Sequence, residues 1–218
     1  MDGLISLAVI LTTLAAVTLV FIVSGNRRRA RRQRLTAHCE AHGWVYYEEN
    51  ERLRQASVLK GPGWRLEAGV NASERSSESG SPDLIGYTFW ESDEASAPLP
   101  VMRFGTVPGA SPGHIAAAMP LLTQLVFSGD ESGLEPVSLK PPLDGRFLLL
   151  APPGAECALG EPVEQLLVSW PRGRHLQGKV GPDRIRLTVP GLRMDNPQDL
   201  DTVIQLGTEL MERFSASP

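Results

Sequence analysis

Cysteine is scarce in this sequence, and so are the long basic stretches typical of proteins that bind nucleic acids. Only two of the 218 residues are cysteines, too few for the disulfide framework of a small secreted protein. No region is basic along its whole length, and a dedicated nucleic-acid-binding domain is therefore not expected. Hydrophobic residues make up 42% and charged residues 21% of the chain, so the composition argues against wholesale disorder.

The short motifs of common enzyme classes are also missing. The sequence contains no GxSxG nucleophile elbow, no Walker-type phosphate loop and no GxGxxG segment after a predicted strand. His175 is the histidine nearest to Cys157 in the sequence, and no motif links the two as a base and its nucleophile. We predict a non-enzymatic interaction or scaffolding protein without a cofactor. The alternative is a membrane-tethered hydrolase or metal-dependent enzyme whose site assembles only in space.

Charge is distributed unevenly along the chain, although the net charge is only −4. Residues 1–26 carry one charged side chain, that of Asp2. Residues 27–34 contain six arginines and no acid, and residues 35–218 contain 15 basic and 24 acidic residues. The chain therefore divides into an uncharged segment, a short basic segment and an acidic remainder.

Residues 3–25 form a run without a charged side chain, which predicts a transmembrane helix. Its 23 residues would extend about 34 Å as a helix, and the hydrocarbon core of a bilayer is about 30 Å thick. Because the basic residues follow the run, a retained helix is favoured over a cleaved signal peptide. The positive-inside rule then predicts a single-pass inner-membrane protein with its N-terminus outside and its C-terminal domain in the cytoplasm. The arginines that set this orientation are Arg27, Arg28, Arg29, Arg31, Arg32 and Arg34.

Two further interpretations concern this N-terminal segment. Topology alone explains the arginine cluster, and binding of anionic lipids is the alternative. Ala8, Thr12 and Ala16 recur at four-residue spacing, and small residues at this spacing let two membrane helices approach closely. The sequence therefore offers a homodimer through the span as a hypothesis.

The sequence after the predicted span indicates two structural parts, a helix and a domain. Residues 26–43 form a basic juxtamembrane helix that Gly43 ends as its C-cap. Residues 44–218 form a cytoplasmic α+β domain, with candidate lobes at 44–133 and 143–216. Strands are predicted at 44–47, 64–70, 84–91, 100–107 and 146–151, helices at 48–56, 112–127 and 162–170, and a loop at 72–83.

The clearest structural signals lie near the C-terminus. Gly181, Pro182 and Asp183 form a turn sequence between strand-like segments at 175–180 and 184–189. Hydrophobic and polar residues alternate in the second segment, which predicts antiparallel pairing with one buried and one exposed face. A last helix begins at Pro197, with Asn196 as its N-cap, and its apolar stripe predicts that it covers the sheet. The expected fold is α+β: an N-terminal transmembrane helix, then a mostly antiparallel sheet covered by helices on one face.

This layout resembles a group of uncharacterised bacterial membrane-anchored proteins. In that group a span and a basic stretch precede a helix that ends in a Gly-Trp-aromatic turn, here Gly43-Trp44-Val45-Tyr46. A later Phe-containing strand leads into a helix, here Arg146-Phe147-Leu148 into residues 161–170. The similarity covers most of residues 30–214 and implies the same architecture. It implies no activity.

His38, Cys39 and His42 form the most suggestive cluster for metal chemistry. His38 and His42 are four residues apart, so on a helix they share a face and could bind one metal ion. The zincin motif requires Glu directly after the first His, but Cys39 stands there. A packed helix edge is therefore the favoured interpretation, and a metal or redox sensor is the alternative.

A second cluster of basic residues surrounds the predicted hairpin. Residues 172–193 contain six basic residues and one acid, Asp183. A solvated face balanced by carboxylates elsewhere explains the cluster, and the alternative is a docking surface for an acidic protein or an anionic membrane. Nucleic acid is not expected, because no aromatic platform is interleaved with the basic residues. The candidate binding residues are Arg172, Arg174, Lys179, Arg184, Arg186 and Arg193.

Overall fold

The first 43 residues form one structural unit, and the rest of the chain forms another. In the computed structural model the two units are Met1–Gly43 and Trp44–Pro218. The structure describes residues 2–51, 54–76, 82–93, 101–107, 133–154, 159–192, 194 and 197–215. The helix predicted at 112–127 lies outside these residues, as do Cys157, Arg193 and Asn196.

The first unit consists of helix α1 (Asp2–Ala41). The helix ends where the sequence predicts, because Gly43 adopts a φ of +70°, a conformation that favours glycine. The backbone N–H groups of His42 and Gly43 donate to the carbonyl oxygens of Cys39 and Glu40 at 3.1 and 3.2 Å. These bonds satisfy carbonyl groups that the last turn of a helix otherwise leaves unpaired.

The prediction of a transmembrane helix at residues 3–25 is wrong. A helix that crosses a bilayer needs about 20 consecutive, mainly apolar residues. Within the described part of the chain, no helix combines the length and the apolar character required for a crossing. The apolar run and the arginine cluster belong instead to one uninterrupted helix, α1. The predicted orientation and the predicted homodimer are not tested by this finding and stay predictions.

Within the described residues, the second unit contains an antiparallel sheet of nine strands in the order β1-β2-β3-β4-β9-β8-β5-β7-β6. The strands are β1 (Val45–Glu51), β2 (Arg54–Gly61), β3 (Trp64–Ser76), β4 (Pro82–Ser92), β5 (Met102–Thr106), β6 (Glu135–Val137), β7 (Phe147–Ala151), β8 (Gln177–Val180) and β9 (Ile185–Thr188). Every pairing between neighbouring strands is antiparallel. Residues from both candidate lobes contribute strands to this sheet.

Two parts of the sheet differ from the sequence prediction. Residues 48–56 were expected to form a charged helix, but they belong to β1 and β2, which pair with Glu51 opposite Arg54. Cross-strand pairing therefore outweighs the helix preference of the glutamates in this segment. The short edge strand β6 was not predicted, and Pro136 at its centre is tolerated because an edge strand needs fewer backbone donors.

One face of the sheet, the core face, is covered by helices. Helix α2 (Glu161–Ser169) contacts helix α3 (Pro197–Ser215), and α3 contacts β4 and β9. The strands contribute buried side chains to this face, among them Trp90, Phe104 and Leu187. The predicted apolar stripe of the last helix is confirmed by the buried residues Leu200, Val203, Ile204, Leu210 and Phe214.

Helix α3 approaches the sheet closely at Gly207. A Cβ atom at this position would lie 2.4 Å from the indole of Trp90, much closer than carbon atoms can approach. Trp90 in turn stacks on Trp64 with 6.5 Å between ring centroids, and Trp64 meets Trp44 edge to face at 5.3 Å. Trp64 and Trp90 are buried, and Trp90 lies directly beneath Gly207 of α3, while Trp44 is half-buried at the end of this line of indoles.

The opposite face of the sheet, here called the polar face, is only partly exposed. Lys60, Lys179 and Arg186 on this face are exposed. Val58 and Leu150 on the same face are buried, at 0% and 1% relative exposure. The prediction of one buried and one exposed face is therefore confirmed for the β8–β9 hairpin and does not hold across the whole sheet.

Candidate functional site

The β8–β9 hairpin places its basic residues as the sequence predicts. The turn at Gly181 closes with a hydrogen bond from its backbone N–H to the carbonyl oxygen of Arg184, at 2.9 Å. Ile185 and Leu187 are buried on the core face, while Arg184 and Arg186 are exposed on the polar face. The strand alternation therefore turns both arginines away from the core.

The sheet register adds residues from other strands to this face. Arg186 of β9 lies directly opposite Lys179 of β8 and Glu91 of β4. Lys179 lies opposite Arg103 of β5, Glu91 lies opposite Arg65 of β3, and Arg65 lies opposite Lys60 of β2. Directly opposed residues point to the same side of a sheet. The resulting line, here called the basic row, is Lys60, Arg65, Glu91, Arg186, Lys179 and Arg103.

The β3 end of the basic row is balanced by carboxylates. The Nη2 atom of Arg65 donates to Glu67 Oε2 at 2.7 Å and to Glu49 Oε1 at 3.1 Å. Glu67 is completely buried, and its Oε1 atom accepts a hydrogen bond from the Tyr87 hydroxyl at 2.5 Å. A buried carboxylate requires such partners, because burial of an unpaired charge is costly. Arg65 is therefore held in place, and its charge is compensated.

Gly69 makes the hydrogen bond between Tyr87 and Glu67 sterically feasible. Gly69 lies directly opposite Tyr87 in the β3–β4 register. A Cβ atom at Gly69 would lie 2.7 Å from the Tyr87 hydroxyl oxygen and 2.5 Å from the carbonyl oxygen of Gln55. The missing side chain thus leaves room for the phenol to cross the strand and reach Glu67.

At the middle of the row, Glu91 is paired with an arginine from the hairpin turn. Arg184 Nη1 donates to Glu91 Oε1 at 2.8 Å. The next arginine, Arg186, packs against an aromatic ring, with its Cζ atom 4.1 Å from the ring centroid of Phe89. The Phe89 ring also stacks on Tyr87, with 5.9 Å between the centroids. The Arg186 guanidinium is therefore supported by a hydrophobic surface and a cation–π contact.

Arg174, another candidate from the sequence, pairs with an acid away from the row. Its Nη1 and Nη2 atoms each lie 2.7 Å from a carboxylate oxygen of Asp199 in α3. The hydrogen bond that Arg174 donates to Asp199 raises the pKa of Arg174, partial burial lowers it, and the nearby negative charge raises it further. Arg172 is exposed in the preceding turn. Neither residue belongs to the basic row.

Three cations of the basic row are not evident from the sequence alone. Lys60, Arg65 and Arg103 lie far from the hairpin in the chain. Only the strand register places them beside Lys179 and Arg186. Phe89, which supports Arg186, had also not been identified as relevant. No local pattern in the sequence reports these juxtapositions.

The N-terminal unit holds the other predicted site residues. Arg27, Arg29, Arg31, Arg32 and Arg34 are exposed on α1, and the side chain of Arg28 lies outside the described part. The side chains of Ala8, Thr12 and Ala16 are likewise not described.

The proposed metal ligands lie at the end of α1. The rings of His38 and His42 have their centroids 4.5 Å apart, and the Nδ1 atom of His42 donates to the carbonyl oxygen of His38 at 2.9 Å. Cys39 is buried. Metal binding by His38, Cys39 and His42 stays a prediction.

Comparison with known proteins gives little information about function. No family model matches the chain, and no curated protein does, so the resemblance noted from the sequence stays a prediction. The crystal structure of the mycobacterial trehalose monomycolate transport factor A, TtfA, is similar, with a TM-score of 0.46 and 12% identity over 84% of this chain and 95% of that chain. A similarity of this size does not establish a shared function.

Proposed function

We propose that this protein is an interaction module that binds an acidic segment of a partner protein on the basic row. The observation that carries the proposal is the register, which aligns five cations and one carboxylate on one side of six neighbouring strands. Neighbouring strands lie about 4.8 Å apart, so the row extends about 24 Å. An extended acidic segment of moderate length matches this distance.

The unfavourable placement of like charges supports a binding role. Lys179 lies directly between Arg186 and Arg103, and like charges in directly opposed positions destabilise a sheet. The chain as a whole has a net charge of −4, so these cations are concentrated locally against the overall charge. A negatively charged partner would reduce the repulsion between these cations, and this reduction would contribute to its affinity.

An acidic protein segment fits the row better than a nucleic acid does. Proteins that bind single strands without sequence preference offer open aromatic faces on which bases stack. On this face the Arg186 guanidinium already lies over the ring of Phe89, and the Tyr87 hydroxyl is engaged by Glu67. The groups that a ligand can contact on this face are therefore mainly guanidinium and ammonium groups, which bind carboxylates and phosphates.

The proposal can be tested by measuring the binding of a fluorescent polyglutamate peptide to the full-length chain. Binding should be detectable by anisotropy at low ionic strength and should weaken as salt screens the charges. Lys179→Glu should lower the affinity by roughly tenfold, since reversal of one exposed charge changes the binding free energy by about 1.4 kcal/mol. Lys140→Glu is the matched control, because Lys140 is exposed and lies outside the basic row. Equal losses of peptide affinity in the two variants would show that the basic row is not the binding surface.

A further inference from the structure

We propose that Arg103, Lys179 and Arg186, here called the cation triple, bind a phosphoryl group carried by a serine or threonine of the acidic partner. The inference rests on the function proposed above and narrows it. It makes recognition depend on phosphorylation of the partner. Four features of the polar face favour this assignment. They are the distribution of ion pairs along the basic row, the distance between the three cations, the packing of Arg186 on Phe89, and the residue types at the neighbouring positions.

Charge balance differs between the two halves of the basic row. Arg65 is paired with Glu49 and Glu67, and Glu91 is paired with Arg184. Within the described residues, neither Lys179 nor Arg186 forms an ion pair with a carboxylate. The excess positive charge is therefore concentrated at the β8–β9 side of the row.

Spacing allows the cation triple to converge on one anion. Arg103 lies opposite Lys179, and Lys179 lies opposite Arg186, in the register of three neighbouring strands. Directly opposed Cβ atoms in an antiparallel sheet are about 4.5–5.5 Å apart. Arginine and lysine side chains are longer than this separation, so their charged groups can contact a single small ligand.

A phosphoryl group matches three converging cations better than a carboxylate does. A phosphomonoester carries a charge of about −1.5 to −2 at pH 7 and offers three strong acceptor oxygens. A carboxylate carries one negative charge and offers two oxygens, so it can accept fewer charged hydrogen bonds from the cation triple than a phosphoryl group can. Arginine also donates two parallel hydrogen bonds to phosphate oxygens in a planar, bidentate arrangement.

Arg186 is supported for such a bidentate contact. Its guanidinium lies over Phe89, with 4.1 Å from Cζ to the ring centroid, and the side chain is exposed. Stacking on a ring restricts the plane of the guanidinium but leaves the N–H groups at its edge available. The entropy lost when Arg186 binds an anion is consequently smaller than for an unsupported side chain.

Glu91 lies directly opposite Arg186 but is paired with Arg184, and the positions on the Thr188 side of the cation triple carry no acidic side chain. One step along the strands, on the same face, lie Thr188 of β9, Gln177 of β8 and Gly105 of β5, which oppose one another in register. Threonine and glutamine are neutral and can donate hydrogen bonds to phosphate oxygens. Glycine adds no side chain, so the surface beside Arg103 stays open to a ligand.

The test uses three peptides of identical glutamate-rich sequence around one central position. The first carries serine there, the second phosphoserine, and the third two glutamates that match the phosphate charge. With the full-length chain we expect the phosphoserine peptide to bind about tenfold more tightly than either of the others. Its affinity should also fall as the pH is lowered through the second phosphate pKa of about 6. Inorganic phosphate should compete selectively with the phosphoserine peptide.

Two neutralising variants separate the cation triple from the rest of the row. Lys179→Gln should remove most of the preference for phosphoserine. Lys60→Gln is the matched control, since Lys60 belongs to the basic row but not to the cation triple. This variant should lower the affinity for all three peptides by the same factor.

Equal binding of the phosphoserine and charge-matched peptides would overturn the inference and leave the proposed function intact. No binding of any peptide, or tighter binding of an oligonucleotide of equal charge, would overturn both.

Discussion

The guanidinium of Arg186 lies over the ring of Phe89, with its Cζ atom 4.1 Å from the ring centroid. The two residues belong to different strands, β9 and β4, that are joined by only three register pairs. Their contact therefore joins the hairpin to β4 on the polar face and holds the arginine beside that strand. The first prediction follows from this contact.

Replacing Phe89 with leucine should weaken binding on the basic row. Leucine keeps an apolar side chain at this position but offers no aromatic ring for the guanidinium, and a cation–π contact at a partly exposed site contributes about 0.5–1 kcal/mol. We expect Phe89→Leu to lower the affinity for the polyglutamate peptide about two- to fivefold. Phe89→Tyr keeps the ring and is the control, and both variants should be compared by anisotropy. Equal affinities for the two variants would show that the ring does not position Arg186.

Replacing Glu67 with glutamine should lower stability. The buried carboxylate accepts hydrogen bonds from Arg65 Nη2 and from the Tyr87 hydroxyl, and hydrogen bonds to charged groups contribute about 1.5–3 kcal/mol. Glutamine has the same shape but no charge, so we expect the free energy of unfolding to fall by about 1–3 kcal/mol in urea denaturation. Tyr87→Phe removes only one hydrogen-bond donor and should lower the free energy of unfolding by less. A glutamine variant as stable as the native chain would refute this role of the carboxylate.

Replacing Gly207 with alanine should destabilise the protein although alanine favours helices. In an exposed helix this change would add about 1 kcal/mol of stability. At Gly207 the new Cβ would lie 2.4 Å from the Trp90 indole, and overpacking of a core costs about 1–3 kcal/mol. We expect a lower melting temperature for Gly207→Ala. Gln205→Ala, at an exposed position of the same helix, is the control and should change it little. A higher melting temperature for Gly207→Ala would mean that α3 moves away from the sheet at little cost.

The hairpin could be predicted from the sequence because its signals are local. The turn at Gly181 and the alternation around Ile185 both lie within a few residues, and neither needs information from distant strands. The same reasoning located the last helix, whose apolar stripe is visible along one segment. These elements supply two of the five cations in the basic row.

The rest of the row could not be predicted, because register is a property of pairing between distant segments. A shift of one residue in β5 would turn Arg103 to the opposite face of the sheet. The hairpin formed by β1 and β2 was missed for a related reason, since its glutamates favour a helix when the partner strand is unknown.

Arg174 provides the last prediction, a small and salt-dependent loss of stability. Its ion pair with Asp199 is partly exposed, with side-chain exposures of 28% and 21%, and such pairs contribute at most about 1 kcal/mol. We expect Arg174→Gln to lower the free energy of unfolding by about 0.5 kcal/mol at low ionic strength and by less at high ionic strength. Arg172→Gln is the control, because Arg172 lies in the same loop and is exposed.

The pH dependence of this loss follows from the direction of the pKa shift. The pKa of Arg174 is raised in the folded chain, so its contribution is complete below the ordinary arginine pKa. It is lost only when the pH rises through the higher folded value, far above neutral pH. Between about pH 6 and about pH 9 the arginine stays charged, and the difference between native chain and variant should be constant. A difference that changed within this range would mean that another titrating group, and not the Arg174–Asp199 pair alone, determines the effect.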